Sequence, residues 1–186
     1  GGLTKDMYCR FFERLMSPKK GFFECVESGG GRAATSARGR LYLPSGKKSG
    51  PSLESFEALG QVLAKDVLDG QTMVTPFPES FFKCLLGLSV SFRDLEDYDP
   101  QLYRQLYANV LNKQLTLEYA QALSLDFYGL VSNGEKRIVT DSNKREYLKL
   151  VSQKKLVVDR GAQFQAIVKG FSVFKFRKHM TRFNAK

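Results

Sequence analysis

The chain has 186 residues, of which 42% are apolar and 12% aromatic, enough for one domain with a real core or for part of a larger domain. No apolar run approaches the ~18–20 residues of a membrane span, and the first ten residues lack the apolar segment of a secretory signal. The net charge of +10 is uneven: residues 1–50 carry ten Lys/Arg against four Asp/Glu, residues 51–134 carry five against eleven, and residues 135–186 carry fourteen against four. An acidic middle third argues against a uniformly basic nucleic-acid binder, although the basic ends could steer an acidic partner. Three dispersed cysteines, Cys9, Cys25 and Cys84, form neither a disulfide framework nor a zinc pattern, and point to a reducing compartment, cytoplasmic or nuclear. The opening Gly1-Gly2, without a methionine, suggests a piece of a longer chain.

In chain order, Thr4 is placed to N-cap a helix through Met16, with Met7, Tyr8, Phe11, Phe12 and Leu15 on one apolar stripe. Ser17-Pro18 stops it. Residues Gly21 to Val26 (GFFECV) and Arg40 to Leu43 (RLYL) read as two strands of a hairpin. The Gly- and Arg-rich stretch between them, 28–40, reads as a flexible basic loop, and SGKKSGP (45–51) as a second flexible link.

Ser52 can cap the next helix, whose Leu53, Phe56, Leu59, Leu63 and Val67 share a face. Gly60 costs that helix about 1 kcal/mol against Ala, which suggests that another backbone approaches there. Gly70 is placed to end it in a left-handed conformation. Pro78 opens a helix of Phe81, Phe82, Leu85 and Leu86, with Cys84 inside, and Gly87 closes it.

Ser91 caps a turn holding Asp94 to Asp97, and Asp99-Pro100 opens a helix burying Leu102, Leu106, Val110 and Leu111. Leu123 to Tyr128 alternates as a strand, Asn133-Gly134 marks a hairpin turn, and Ile138-Val139 returns as its partner. Thr140 or Asp141 caps a helix with Tyr147, Leu148, Val151 and Leu156. A last helix, from about Arg160, carries Phe164, Ile167, Val168 and Phe171. The expected fold is mainly α with short β-hairpins, an α+β arrangement.

The motifs that could carry chemistry mostly have structural readings. Gly29-Gly30-Gly31-Arg32 lacks the Gly-Lys-Ser/Thr ending of a phosphate loop, and Ser45-Gly46-Lys47-Lys48 lacks the leading glycine. Asp94, Glu96, Asp97 and Asp99 suit helix capping rather than acid–base or calcium chemistry. None of the cysteines has a neighbouring histidine to act as base, and the single His179 cannot build a metal site. The basic aromatic stretch Phe174, Phe176, Arg177, Lys178, Arg182 and Phe183 could suit RNA stacking or an anionic membrane, but reads more simply as a tail.

The elements arrive in an order that resembles a known family. GGLTKDMYCRFFERLM, GFFECV with RLYLP, FEALGQVLAKDVLDG, TPFPESFFKCLLG, SFRDLEDYDPQLYRQL, LSLDF, IVTDSNKREYLKLV and QFQAIVKGF are similar, in sequence, to blocks of the HECT-type ubiquitin ligases. Within that family, LSLDF and ALGQVLAK resemble the branch typified by the plant trichome-branching ligase.

The resemblance implies the large subdomain of the HECT N-terminal lobe over residues 1–172, with 173–186 as a basic tail. It implies a parent enzyme that takes ubiquitin from a conjugating enzyme as a cysteine thioester and passes it to a substrate lysine. It further implies that the docking subdomain for the conjugating enzyme follows Gln163 to Phe171, and that the accepting cysteine sits in a C-terminal lobe; neither region is expected in this chain, which would be a scaffold piece with no catalytic residue, metal or cofactor of its own. Ubiquitin and a conjugating enzyme are the implied partners, with no membrane and no nucleic acid. A second ubiquitin could meet the hairpin end at Lys19, Lys20, Phe22, Leu41 and Leu43, although Lys19-Lys20 stands where one subfamily has aromatics, and Phe22 and Leu43 also read as hairpin core. The other readings are a basic nucleic-acid-binding module and a catalytically dead HECT-like scaffold.

Overall fold

The computed structural model describes residues 2–26, 41–70 and 76–174. They belong to two compact units, Gly1–Ser89 with Asp159–Lys186, and Val90–Val158. The loop expected at 28–40 and the stretch from 175 onward, His179 included, lie outside the described residues.

The first unit begins with α1, Gly2–Leu15. It starts two residues before the expected cap, so Thr4 lies inside it, a difference within the usual fraying of helix ends. Of its apolar stripe Tyr8 and Phe12 are buried, while Met7 and Phe11 remain exposed. A short 3-10 turn, Pro18–Lys20, leads into β1, Phe23–Glu24, which pairs antiparallel with β2, Leu43–Pro44. Both strands are shorter than the alternation suggested. Phe23 faces Pro44, which has no N–H to donate. The Tyr42 amide is spent on the Pro76 carbonyl at 2.8 Å instead.

Helix α2, Leu53–Leu68, is capped by the Ser52 side chain, which accepts from the Ser55 amide at 3.3 Å. Phe56, Leu59 and Leu63 are buried as the spacing required, whereas Leu53 and Val67, at its ends, are exposed. Gly70 follows at φ +63°, the left-handed conformation that a Cβ disfavours. Helix α3, Glu79–Leu86, has Pro78 as its N-cap, and Gly87 ends it at φ 76°. Within this unit α2 packs mainly on α8, Gly161–Phe171, and α3 also meets α8. The core is aromatic: Phe77 stacks on Phe81 at 4.1 Å, Phe81 meets Phe164 at 5.7 Å, and Phe12 and Phe23 close on Phe77 at 6.2 and 5.2 Å.

The α2–α8 crossing is set by two glycines. A Cβ on Gly60 would lie 2.1 Å from the Ile167 carbonyl oxygen, and one on Gly170 would lie 1.9 Å from that of Glu57. Backbone therefore meets backbone at this crossing, as the mid-helix Gly60 suggested.

The second unit opens with the Ser91 turn, where the Ser91 amide and hydroxyl donate to Asp94 at 2.7 and 2.9 Å. Helix α4, Leu95–Tyr98, is followed by α5, Pro100–Leu106, whose Asp99 cap accepts from the Leu102 amide at 3.0 Å. A π-helical turn, Tyr107–Leu111, continues α5 and buries Val110. Leu102 and Leu111 are only half-buried.

Helix α6, Leu117–Ala122, was not evident from the spacing, and it overturns the strand expected at Leu123 to Tyr128. The amides of Leu123, Ser124 and Leu125 bond back to Tyr119, Gln121 and Ala120, so they are not free for a ladder. What remains is one antiparallel bridge, Asp126 to Ile138. Gly134, expected as a hairpin glycine, is instead where backbones crowd: a Cβ there would lie 1.9 Å from the Phe127 carbonyl oxygen.

Helix α7, Lys144–Leu156, starts a turn later than expected, and neither Thr140 nor Asp141 caps it by its side chain. The Asn143 side chain organises the entry, accepting from the Thr140 amide at 2.8 Å and donating to the Ile138 carbonyl at 3.0 Å. Asp141 instead accepts from the Leu115 amide at 3.3 Å and pairs with Lys144 at 2.7 Å.

Candidate functional site

Cys9, Cys25 and Cys84 are in no disulfide, each half-buried; Cys84 is thus more open than the apolar residues around it in sequence implied. None has a histidine beside it among the described residues, since His179 lies outside them. A thioester nucleophile needs an available thiolate and a route for its proton. The described residues hold no group of three or more His, Cys, Asp or Glu side chains able to bind a metal ion. No helix among them is long and apolar enough to cross a membrane.

The acidic run of the second unit divides by role. Asp94 and Asp99 are buried and serve as caps, while Glu96 and Asp97 face solvent. Asp99 also pairs with Lys155 at 3.3 Å. The nearby Arg137 forms two bonds to Glu146, at 2.8 and 2.6 Å, and lies 4.1 Å over the Phe127 ring. This bonding raises the guanidinium pKa and holds the Glu146 carboxyl below its usual range. Asp94, Asp99 and Glu146 are thus each engaged by a cap or a cation of the same unit.

One carboxyl was missed by the sequence reading. Asp66 falls three residues after Leu63 on the apolar face of α2, is 3% exposed, and its Oδ1 has no hydrogen-bond partner among the described residues. Burial, with a smaller contribution from the Asp69 charge, pushes its pKa up. Asp69 is held low by bonds from Lys65 and from the Tyr8 hydroxyl, which donates at 2.9 Å. Tyr8 itself is pushed up to about 12 by burial and by that bond. The periodic spacing from Phe56 through Leu63 was the signal available for Asp66: a polar side chain on a buried stripe.

The hairpin end holds the residues named as an interaction surface. Lys19 and Lys20 are exposed on the Pro18–Lys20 turn. Phe22 is half-buried, with its ring 5.2 Å from Phe56 and 6.5 Å from Phe23. Leu41 is 8% exposed and Leu43 is fully buried, so these two belong to the core rather than to an open surface. Behind the hairpin, Glu24 on β1 pairs with buried Arg160, just before α8, at 2.5 Å. The pair anchors the hairpin to the α2–α8 core of the same unit.

Two further lysines, Lys47 and Lys48, stand exposed on the turn that follows β2. The sequence reading treated that turn only as a flexible link.

Residues 10–186 match the family model described as HECT-domain (ubiquitin-transferase). Among curated relatives, a bifunctional serine/threonine-protein kinase/NEDD4-like E3 ubiquitin-protein ligase of Dictyostelium discoideum is 40% identical over 130 residues, covering 69% of this chain and 7% of the relative. The E3 ubiquitin-protein ligase HUWE1 of Mus musculus is 30% identical over 179 residues, covering 92% of this chain and 4% of the relative. The E3 ubiquitin-protein ligase TOM1 of Saccharomyces cerevisiae is 26% identical over 182 residues, covering 92% of this chain and 5% of the relative. None of these three carries the name of the trichome-branching ligase that LSLDF and ALGQVLAK resembled. The chain thus spans less than a tenth of the length of each of these relatives.

Proposed function

The chain belongs to the HECT-domain (ubiquitin-transferase) family, and from that premise we propose that it is the large subdomain of the N-terminal lobe in a ubiquitin-protein ligase. Its role is mechanical. The α2–α8 pair forms a stiff base, and α8 delivers the chain to the subdomain that docks the ubiquitin-conjugating enzyme. The parent protein accepts ubiquitin on a cysteine and transfers it to a substrate lysine. The accepting cysteine is none of Cys9, Cys25 and Cys84. A cytoplasmic or nuclear setting suits three cysteines that form no disulfide.

The observation that carries this reading is the backbone-to-backbone crossing at Gly60 and Gly170 inside a family match of almost the full chain. Such a crossing positions elements and supplies no group for chemistry. The hairpin end is the surface this reading offers to a second ubiquitin, through Lys19, Lys20 and the open edge of Phe22, with Leu41 and Leu43 as its support.

The test is a charging assay with activating enzyme, conjugating enzyme and ubiquitin. The parent protein is expected to form a DTT-sensitive ubiquitin adduct, and this chain alone is expected to form none. An adduct mapped to Cys9, Cys25 or Cys84 would overturn the scaffold reading. A parent protein that never charges would overturn the ligase reading and leave a catalytically dead scaffold.

A further inference from the structure

Two basic turns far apart in sequence meet at one end of the hairpin. The first is Pro18–Lys20, closed by Gly21 at φ 67°, whose amide donates to the Pro18 carbonyl at 3.2 Å. The second follows β2: the Lys47 amide donates to the Ser45 hydroxyl oxygen at 3.4 Å, and the Gly50 amide to the Lys47 carbonyl at 3.2 Å.

Three contacts join the turns. The Ser45 amide donates to the Phe22 carbonyl at 2.8 Å. A Cβ on Gly50 would lie 3.4 Å from the Gly21 carbonyl oxygen, and one on Gly21 would lie 3.6 Å from Cδ of Pro51. Lys19, Lys20, Lys47 and Lys48 are thereby gathered on one edge, all exposed and none in an ion pair among the described residues. Two acidic residues stand near the turns: Glu24 on β1 is engaged by Arg160, and Asp159, whose carbonyl oxygen would lie 2.2 Å from a Cβ on Gly46, is exposed. Glu54, in the first turn of α2, is the next acidic residue along the chain.

We propose that this pair of turns is a docking surface for an acidic polypeptide segment, a partner distinct from ubiquitin and from the conjugating enzyme. The chemistry of the patch selects that class. Lysine ammonium groups are mobile point charges that accept carboxylates at variable positions, without the fixed fork by which arginine reads a planar anion. The turns offer no stacking platform for bases, because Phe22 is packed against Phe56 and Phe23. SPKKG (17–21) and SGKKSGP (45–51) contain no large apolar side chain to insert into a bilayer. Four charges on two short turns match a short flexible anion better than the long phosphate track of a duplex, which rewards many contacts in register.

The test measures fluorescence anisotropy of labelled octaglutamate with this chain, over a salt series. Binding at low salt that weakens as salt rises is expected. Replacing all four lysines (K19E/K20E/K47E/K48E) is expected to weaken it roughly tenfold or more, and either pair alone by an intermediate factor. The residues are exposed, and thermal unfolding of each variant checks that the fold is kept.

No binding by the unaltered chain would overturn the proposal, and so would unchanged binding by the fourfold variant. So would a labelled DNA duplex, or vesicles rich in phosphatidylserine, binding more tightly than octaglutamate and losing affinity in the same variant. A ubiquitin arm separates this surface from the one proposed above. Loss of ubiquitin binding in K19E/K20E with octaglutamate binding unchanged would sink the acidic-segment proposal and leave the ubiquitin reading standing. The reverse pattern would do the opposite.

Discussion

Gly60 on α2 and Gly170 on α8 occupy reciprocal positions, each where a side chain would drive into the backbone of the other helix. In an exposed helix a Gly→Ala change normally gains about 1 kcal/mol. Here the obstructing atoms are carbonyl oxygens of helices, which cannot rotate away. Gly60→Ala and Gly170→Ala are each expected to destabilise the chain by about 1–3 kcal/mol or more, as overpacked cores do. Gly161→Ala is the internal control, since nothing lies within 4 Å of a Cβ there and its φ is not positive. That change is expected to be neutral or to gain a few tenths of a kcal/mol, by roughly the usual entropic effect. Urea unfolding of the three variants reads the difference in sign.

Asp66 should make stability depend on pH in the opposite sense to an ordinary paired carboxylate. Its folded pKa is raised, by burial first and then by the Asp69 charge, so the folded state holds its proton more tightly than the unfolded chain. The stabilisation from that proton is complete below the unfolded pKa of about 3.9 and is lost as pH rises through the folded value. Asp69, Asp141 and Glu146 have lowered pKa values and act the other way, losing their contribution as pH falls. The informative quantity is therefore the difference between Asp66→Asn and the unaltered chain. The variant should gain stability relative to the parent as pH rises from acid to neutral; a flat difference would contradict this account.

Asp99 joins two interactions in one buried carboxylate: the cap of α5 and the pair with Lys155. Asp99→Ala is expected to cost about 1–2 kcal/mol, the upper range for a lost cap. Lys155→Ala should cost less than about 1 kcal/mol, because its side chain is 39% exposed. Chemical denaturation of the two single variants and the double variant gives the coupling.

Arg160 is 4% exposed and reaches Glu24 across the hairpin base. Glu24→Ala leaves a buried guanidinium without this partner, and a loss of roughly 1.5–3 kcal/mol is expected, the range for hydrogen bonds to charged groups. Hydrogen exchange should show the Ser45 and Tyr42 amides opening more readily in that variant than in the parent. Unchanged protection would mean that the hairpin is held by Leu43 and Phe23 alone.

The residues that local chemistry controls were legible in order along the chain. Ser52 and Asp99 cap the helices they precede, and Asp94 reaches back to the Ser91 amide, because a short side-chain oxygen beside a free amide acts within three residues. Gly70 turns left-handed where the helix ends, and Gly60 announced a close approach by being a poor helix former in a good helix. The family order of the blocks was legible for the same reason: it is a property of the string.

What packing decided was not legible there. The alternation at Leu123 to Tyr128 could not reveal that its first amides were already spent closing α6. Nothing local said that Met7 and Phe11 would stay exposed while Phe12 entered the aromatic core, nor that Asp66 would be buried without a partner for Oδ1 among the described residues. The SGKKSGP stretch looked like a flexible link until Gly50 and Pro51 proved to lie against Gly21. Caps, turns and helix periodicity depend on neighbours within about one helical turn, so the sequence alone determined them. Burial and the gathering of charge depend on which distant segments meet, and only the tertiary structure decided those.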